Sequence, residues 1–106
     1  MMAALSGKSA IVTGGSRGIG AAIAKRLAKE GAAVAITYSS SPERAKELVD
    51  GIVKEGGKAV AIKADAADQV AVRAAVQRAA EEFGKIDILV NNAGVLALGP
   101  IADFPL

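Results

Sequence analysis

Short apolar runs alternate along this chain with longer stretches that carry apolar residues at helical spacing. The runs lie at residues 8–13, 33–38, 58–63 and 86–91, and turn-forming residues follow each of them. Such runs predict strands that are buried on both faces. Their alternation with helices implies a parallel sheet joined by right-handed crossovers, in the order β-α-β-α-β-α-β. The predicted fold class is therefore α/β.

Three helices are predicted between these strands. The clearest apolar stripe has i, i+3, i+4, i+7, i+8 spacing and consists of Ala45, Leu48, Val49, Ile52 and Val53. This helix is expected to have Ser41 as its N-cap and Pro42 as its first residue, and to stop at Gly56. The next helix is expected to run from Asp68 to Gly84.

The composition excludes several classes of function. The chain has 106 residues, is 52% hydrophobic and carries a formal net charge of +2, which fits one folded domain and no nucleic-acid-binding stripe. It contains no Cys and no His, so we predict no disulfide, no metal site and no histidine-based catalysis. No apolar run approaches the ~20 residues of a membrane span. We expect a cytoplasmic protein without nucleic-acid or membrane partners.

A glycine-rich loop, T-G-G-S-R-G-I-G at residues 13–20, joins the first strand to the first helix. Gly14 permits a tight turn, Gly18 lets the backbone approach a diphosphate, and Gly20 lets the helix pack closely on the sheet. The helix N-terminus offers free N–H groups and partial positive charge to phosphates. A simple turn is the alternative for the glycines alone. A Walker A loop is excluded because Ala21 follows Gly20.

The T-G-x-x-x-G-x-G spacing resembles the short-chain dehydrogenase/reductase family, in particular its 3-oxoacyl-[acyl-carrier-protein] reductase-like branch. N-N-A-G at residues 91–94, the preceding D-I-L-V and Asp65 after the third strand agree with it. The resemblance implies a Rossmann-type sheet of order 3-2-1-4 with three helices, an incomplete doubly wound fold. Residues 1–106 would be the N-terminal dinucleotide-binding half of an oxidoreductase domain, truncated after strand four.

The resemblance also implies a set of cofactor-binding residues. Six of them are expected near the diphosphate and adenosine ribose: Gly14, Ser16, Arg17, Gly18, Ile19 and Gly20. Asp65 and Ala66 are expected near the adenine. Asn92, Ala93 and Gly94 are expected to flank the adenosine and ribose. For Asp65 the alternative is a helix cap or a turn residue, and for the asparagines it is a turn. Thr13 and Asn91 are expected to tie neighbouring strand ends together.

The end of the second strand indicates the cofactor. An NAD enzyme usually carries Asp or Glu there, which binds the ribose 2′-OH and repels a 2′-phosphate. This chain has Tyr38, Ser39 and Ser40 instead, and they complete the predicted cofactor-binding set; the first acid is Glu43. Arg17 can pair with a 2′-phosphate, the alternative being a solvated loop charge. NADP(H) is therefore favoured over NAD(H).

Catalytic residues are absent from the predicted set. The family uses a Ser together with Tyr and Lys in Y-x-x-x-K, but the single tyrosine, Tyr38, is followed four residues later by Pro42. We expect the complete enzyme to be an NADP(H)-dependent reductase or dehydrogenase of small-molecule carbonyls or alcohols, and a homo-oligomer. Whether this chain is itself an enzyme stays open. The alternatives are a non-catalytic nucleotide-binding fragment and a structural fragment that associates through a bare sheet face. The edge of strand four is also expected to be unpaired.

Overall fold

The computed structural model describes residues 4–14, 18–65, 67–91 and 95–98. The elements are β1 (Ser9–Thr13), α1 (Gly18–Lys29), β2 (Ala33–Tyr38), α2 (Pro42–Lys54), β3 (Lys58–Lys63), α3 (Gln69–Phe83), β4 (Ile88–Asn91) and β5 (Val95–Leu98). The predicted alternation of strands and helices is confirmed. None of the helices in the described residues is long and apolar enough to cross a membrane.

The five strands form one sheet in the order β3-β2-β1-β4-β5. The first four strands are parallel, which confirms the predicted order 3-2-1-4. β5 was not predicted: it runs antiparallel to β4, with Asn91 opposite Val95. The expectation that the outer edge of β4 is unpaired is therefore wrong. Antiparallel neighbours need only a hairpin connection, so a short apolar run can pair there without a helical crossover.

Side chains alternate between the two faces of the sheet, as the pleat of a strand requires. Ala10 and Val12 pack with α1 and α2, whereas Ile11 packs with α3 on the other face. Ala24 of α1 and Ala79 of α3 are fully buried. This arrangement confirms that two helices cover one face and a single helix covers the other.

The expectation of a bare sheet face is not met in the described residues. Leu89 is only 8% exposed, and Val60 and Ile62 of the edge strand are half-buried. The large apolar side chains that are exposed are instead on helices, namely Ile19, Val53 and Val70. α3 packs on this face through the small side chains of Ala75 and Ala79 and through Phe83 at its end, and Ala64 and Ile86 belong to the same cluster.

Helix ends follow the local sequence signals. Asp68 caps α3 by accepting hydrogen bonds from the N–H groups of Val70 and Ala71, and Gly84 ends this helix in the left-handed conformation. Ser41 occupies the N-cap position of α2 as predicted, with Pro42 at the start of the helix, but its side chain makes no capping hydrogen bond. Short segments, residues 39–41 and 64–68, therefore lead from the ends of β2 and β3 into α2 and α3.

Candidate functional site

The parallel strands β1 to β4 all end at one edge of the sheet. We call it the carboxyl edge, and among the described residues Gly14, Ser39, Ser40 and Asp65 follow the strand ends there. The strand order reverses at β1, which pairs with β2 on one side and with β4 on the other. Ligands of open α/β sheets bind outside the carboxyl ends of strands at such a switch point. The carboxyl edge is therefore the candidate site, and four of the predicted site residues, Gly14, Ser39, Ser40 and Asp65, follow strand ends there.

The turn after β1 contains two glycines in the left-handed region. Gly14 has φ +65° and Gly18, the first residue of α1, has φ +61°. Side chains strain the backbone in this region, which accounts for glycine at both positions. A Cβ atom added at Gly18 would meet no described atom within 4 Å. Among the described residues, nothing fills the side of Gly18 where a side chain would lie, and close approach of a phosphate requires such space.

The first turn of α1 suits an anion. It contains no acidic residue, whereas Arg26 and Lys29 occupy the last turn. The positive end of the helix dipole is therefore not neutralised by any carboxylate of its own first turn. Gly20 is buried, in agreement with its predicted packing role, and Ile19 is 75% exposed beside it. The residues present fit the diphosphate of a dinucleotide.

The end of β2 combines a packed tyrosine with exposed serines. Tyr38 is half-buried and packs against the core cluster between the sheet and the α1–α2 layer. Ser39 and Ser40 are exposed, and the nearest following acid, Glu43, is in the first turn of α2. The two hydroxyl groups are accessible to a ligand, whereas the Tyr38 ring contributes to the core.

Asp65 stabilises the turn between β3 and α3. Its Oδ1 accepts a hydrogen bond of 2.9 Å from the N–H of Ala67, and its backbone carbonyl accepts one of 2.9 Å from the N–H of Asp68. This is the turn role that the sequence left as the alternative. The side chain is also exposed at the carboxyl edge, so an adenine can reach it. The turn role and the predicted adenine contact are compatible.

Several predicted site residues lie outside the described residues. These are Ser16, Arg17, Ala66, Asn92, Ala93 and Gly94. Their roles stay predictions. The described residues contain no cluster of acidic residues that could hold a metal ion, and the chain has no His or Cys.

Two threonines connect the end of β1 to its neighbours. The Thr13 hydroxyl donates a long hydrogen bond of 3.4 Å to the Val90 carbonyl of β4, in line with the strand-tying role predicted for Thr13. The N–H of Gly14 donates to Oγ1 of Thr37 in β2, at 2.8 Å. Sequence reasoning missed Thr37. The available signal was a hydroxyl residue near the end of an otherwise apolar run.

Asp87 makes the main side-chain contacts at the opposite edge, where β1, β2 and β4 begin. We call this the amino edge, formed by residues 5–9, 30–33 and 85–88. The N–H of Ser9 donates to Oδ2 of Asp87 at 3.0 Å, and Lys85 Nζ lies 2.9 Å from the same oxygen. The hydrogen bond from Lys85, and then that from Ser9, hold the pKa of Asp87 below its ordinary value. Asp87 therefore belongs to the framework and not to the candidate site.

Comparison with known proteins decides the family. A family model for short chain dehydrogenases matches residues 8–106. The chain belongs to the short chain dehydrogenase family. The predicted resemblance is thus confirmed, and the sheet order is that of the short chain dehydrogenases of known structure.

Individual proteins are similar to nearly the whole of this chain. An uncharacterized oxidoreductase of Methylorubrum extorquens is 50% identical over 102 residues, which are 96% of this chain and 41% of that protein. A short chain dehydrogenase of Burkholderia cenocepacia, solved in complex with NADP, is 63% identical with a TM-score of 0.82, over 97% of this chain and 42% of that one. A blue fluorescent protein from a metagenomic library, in complex with NADPH, is 50% identical with a TM-score of 0.82, over 96% and 42%. The chain spans about two fifths of the length of these relatives.

Proposed function

We propose that this chain holds the diphosphate and adenosine parts of a nicotinamide dinucleotide at the carboxyl edge. The observation that carries the proposal is the turn from β1 to α1, where Gly14 and Gly18 adopt positive φ values at the switch point. The first turn of α1 has no acid to repel a phosphate. Ser39, Ser40 and Asp65 are exposed after the neighbouring strands, where the adenosine would lie.

NADP(H) is the proposed cofactor. No carboxylate follows β2 directly, so nothing there would repel a 2′-phosphate, and the exposed hydroxyls of Ser39 and Ser40 can donate hydrogen bonds to one. Arg17 is assigned the charge-assisted contact with the same group. Two solved relatives hold NADP or NADPH, which supports this choice.

The proposed reaction of the complete enzyme is reversible hydride transfer between a small-molecule carbonyl and its alcohol. The nicotinamide supplies or takes up the hydride when bound. The part of this chain is to bind and orient the cofactor. Tyr38 is not assigned a role as acid or base, because it packs on the core and lacks the Y-x-x-x-K partner lysine. From the resemblance we also propose a cytoplasmic homo-oligomer, which sedimentation of the purified protein and cell fractionation would test.

The cofactor assignment is tested by titrating the product of the complete reading frame with NADPH and NADH. We expect tighter binding of NADPH. Arg17→Ala should weaken NADPH binding by about tenfold and leave NADH nearly unchanged, since a charge-assisted contact contributes roughly 1.5–3 kcal/mol. Ser39→Asp should reverse the preference.

Lys29→Ala is the matched control, because it also removes one positive charge but at the last turn of α1. It should leave both affinities unchanged. Equal losses of NADPH and NADH affinity in Arg17→Ala would refute the 2′-phosphate contact. Failure of the wild-type protein to bind either nucleotide would refute the proposed function.

A second candidate function is nucleotide binding without catalysis. The turn that Gly14 and Gly18 form at the switch point supports this candidate as well, because nucleotide binding alone would use the same turn. Assaying NADPH oxidation against a panel of aldehydes and ketones separates the two: binding without turnover supports the second candidate, and turnover excludes it. The third alternative, association through a bare sheet face, is not favoured by the apolar side chains of β1 to β4 on the α3 face: Ile11, Ala35 and Leu89 are buried, and Val60 and Ile62 are half-buried.

A further inference from the structure

Thr37 is a buried polar residue in the middle layer of the fold. It is 0% exposed and occupies the penultimate position of β2, between Ile36 and Tyr38. A buried hydroxyl is costly unless it is hydrogen-bonded. The Thr37 Oγ1 accepts a hydrogen bond of 2.8 Å from the N–H of Gly14, a residue 23 positions earlier in the chain. The hydroxyl thus connects the inside of the sheet with the first residue of the glycine turn.

Gly14 is where the chain leaves the sheet. The described β1–β2 register ends with Val12 opposite Ile36, and Gly14 then turns with φ +65°. Beyond the end of that register, the Thr37 side chain supplies an acceptor for the Gly14 N–H. The bond therefore fixes the peptide between Thr13 and Gly14 against β2, just before the turn begins.

We propose that Thr37 is a positioning residue for the diphosphate-binding turn, an inference that rests on the proposed function. Thr37 is buried, so it acts through Gly14 and does not touch the nucleotide. The Gly14 N–H donates to Thr37 and not to the nucleotide. Gly14 therefore contributes to nucleotide binding through the direction in which it turns the chain. Thr37 sets that direction relative to Ser39 and Ser40, which follow the end of β2.

The diphosphate is common to NADPH and NADH. A residue that positions the turn should therefore affect both cofactors equally, unlike Arg17 or Ser39, which are assigned to the 2′-phosphate. This difference separates the inference about Thr37 from the inference about cofactor preference.

The test replaces Thr37 by a residue of similar shape without the hydroxyl, in the product of the complete reading frame. Thr37→Val should weaken NADPH and NADH binding by the same factor, about tenfold, which corresponds to one lost hydrogen bond. Thr37→Ser keeps the hydroxyl and should restore binding to within about twofold of the wild type. Affinities are measured by isothermal titration calorimetry.

Ile52→Val is the control for a general loss of stability, since it removes one buried methylene from the α2 side of the core, away from the turn. It should leave both affinities unchanged. Equal affinity of wild type and Thr37→Val would overturn the role of Thr37 while leaving the proposed function intact. Absence of nucleotide binding in the wild type would overturn the proposed function, and with it this inference.

A measurement on the wild type keeps the proposal testable if Thr37→Val does not fold. The Gly14 amide should exchange with solvent far more slowly than a Gly amide in an unstructured peptide of the same sequence, because it is hydrogen-bonded to a buried acceptor. Exchange of the Gly14 amide as fast as in that peptide would show that the bond is absent in solution and would overturn the proposal.

Discussion

The amino and carboxyl edges of the sheet differ in how they use their polar groups. At the amino edge, backbone and side chains bond to one another. Leu5 N–H donates to the Glu30 carbonyl at 2.7 Å, and Ala33 N–H donates to the Lys8 carbonyl at 2.9 Å. Ser9 and Asp87 exchange two hydrogen bonds, one through the Asp87 carboxylate and one from its N–H. These contacts join the segments that lead into β1, β2 and β4.

The carboxyl edge leaves donors exposed. Gly14 and Gly18 turn the chain away from the sheet, and Ser39 and Ser40 project into solvent. The first turn of α1 contains no acidic residue, so none of its own side chains offers a carboxylate to the N–H groups at this helix end. Polar groups of the amino edge bond to one another, whereas the carboxyl edge combines the strand-tying bonds of Thr13 and Thr37 with exposed hydroxyls, and there we propose that an anion binds. Changes at the amino edge should therefore affect stability, and changes at the carboxyl edge should affect nucleotide binding.

The largest effect on binding is expected from Gly18→Ala. A methyl group at this position would occupy space that is free of described atoms and that we assign to the diphosphate. We expect nucleotide affinity to fall by more than about tenfold. The left-handed conformation also costs an alanine roughly 1–2 kcal/mol. Nucleotide titration and chemical denaturation measure the two effects separately.

Gly7→Ala is the matched control at the amino edge. Gly7 has φ +84° and, like Gly18, has no described atom within 4 Å of an added Cβ. Its replacement should cost the same roughly 1–2 kcal/mol of stability while leaving nucleotide affinity unchanged. Similar losses of affinity in both variants would mean that strain, and not occupation of the binding space, explains the effect at Gly18.

The next largest effect is expected from Asp87→Asn, which changes the amino edge only. The substitution removes the charge that pairs with Lys85 and weakens the contact with the Ser9 N–H. Since three quarters of the Asp87 side chain is shielded and Lys85 is half exposed, we expect a loss of about 1 kcal/mol in the free energy of unfolding. Nucleotide affinity should not change. A loss of affinity would show that the two edges are coupled.

The same residue predicts a pH dependence. The pKa of Asp87 is lowered in the folded protein from an ordinary value of 3.8, so its stabilising contribution is complete above that value. It is lost as the pH falls below 3.8 and through the folded pKa, because the unfolded chain binds the proton more readily. Denaturation curves of wild type and Asp87→Asn should therefore converge at acid pH. A gap that persists there would contradict the role of the Asp87 charge.

Much of the fold was readable from the sequence because the strands are buried. The predicted limits of β2 and β3 agree with the structure, since turn residues bound these runs on both sides. The run at residues 86–91 is longer than β4, which begins at Ile88, because Asp87 bonds to Ser9 instead of continuing the apolar pattern. β5 was missed because a four-residue run gains its structure from pairing with β4 and has no period of its own.

The sequence indicated at which edge of the sheet the candidate site lies better than it indicated the contacts of individual side chains. Glycines and strand ends indicated the carboxyl edge, because parallel strands end together. The sequence could not show that Tyr38 packs on the core, because its neighbours there are distant in sequence. It offered the turn role of Asp65 as an alternative, and the hydrogen bond from Ala67 shows that Asp65 has this role. Thr37 was missed because its partner, Gly14, is joined to it only by the register of two strands.

The smallest effects are expected from exposed apolar residues, and they give the finest comparison of the two edges. Ile19, at the start of α1, is 75% exposed, and Val53, near the end of α2, is 52% exposed. Replacing either by alanine should change stability by less than about 0.5 kcal/mol, because little apolar surface is lost and alanine favours the helix. Ile19→Ala should nevertheless weaken nucleotide binding by about twofold to threefold, since Ile19 would cover the bound cofactor. Val53→Ala should leave binding unchanged, and an equal effect of the two substitutions would place Ile19 outside the cofactor site.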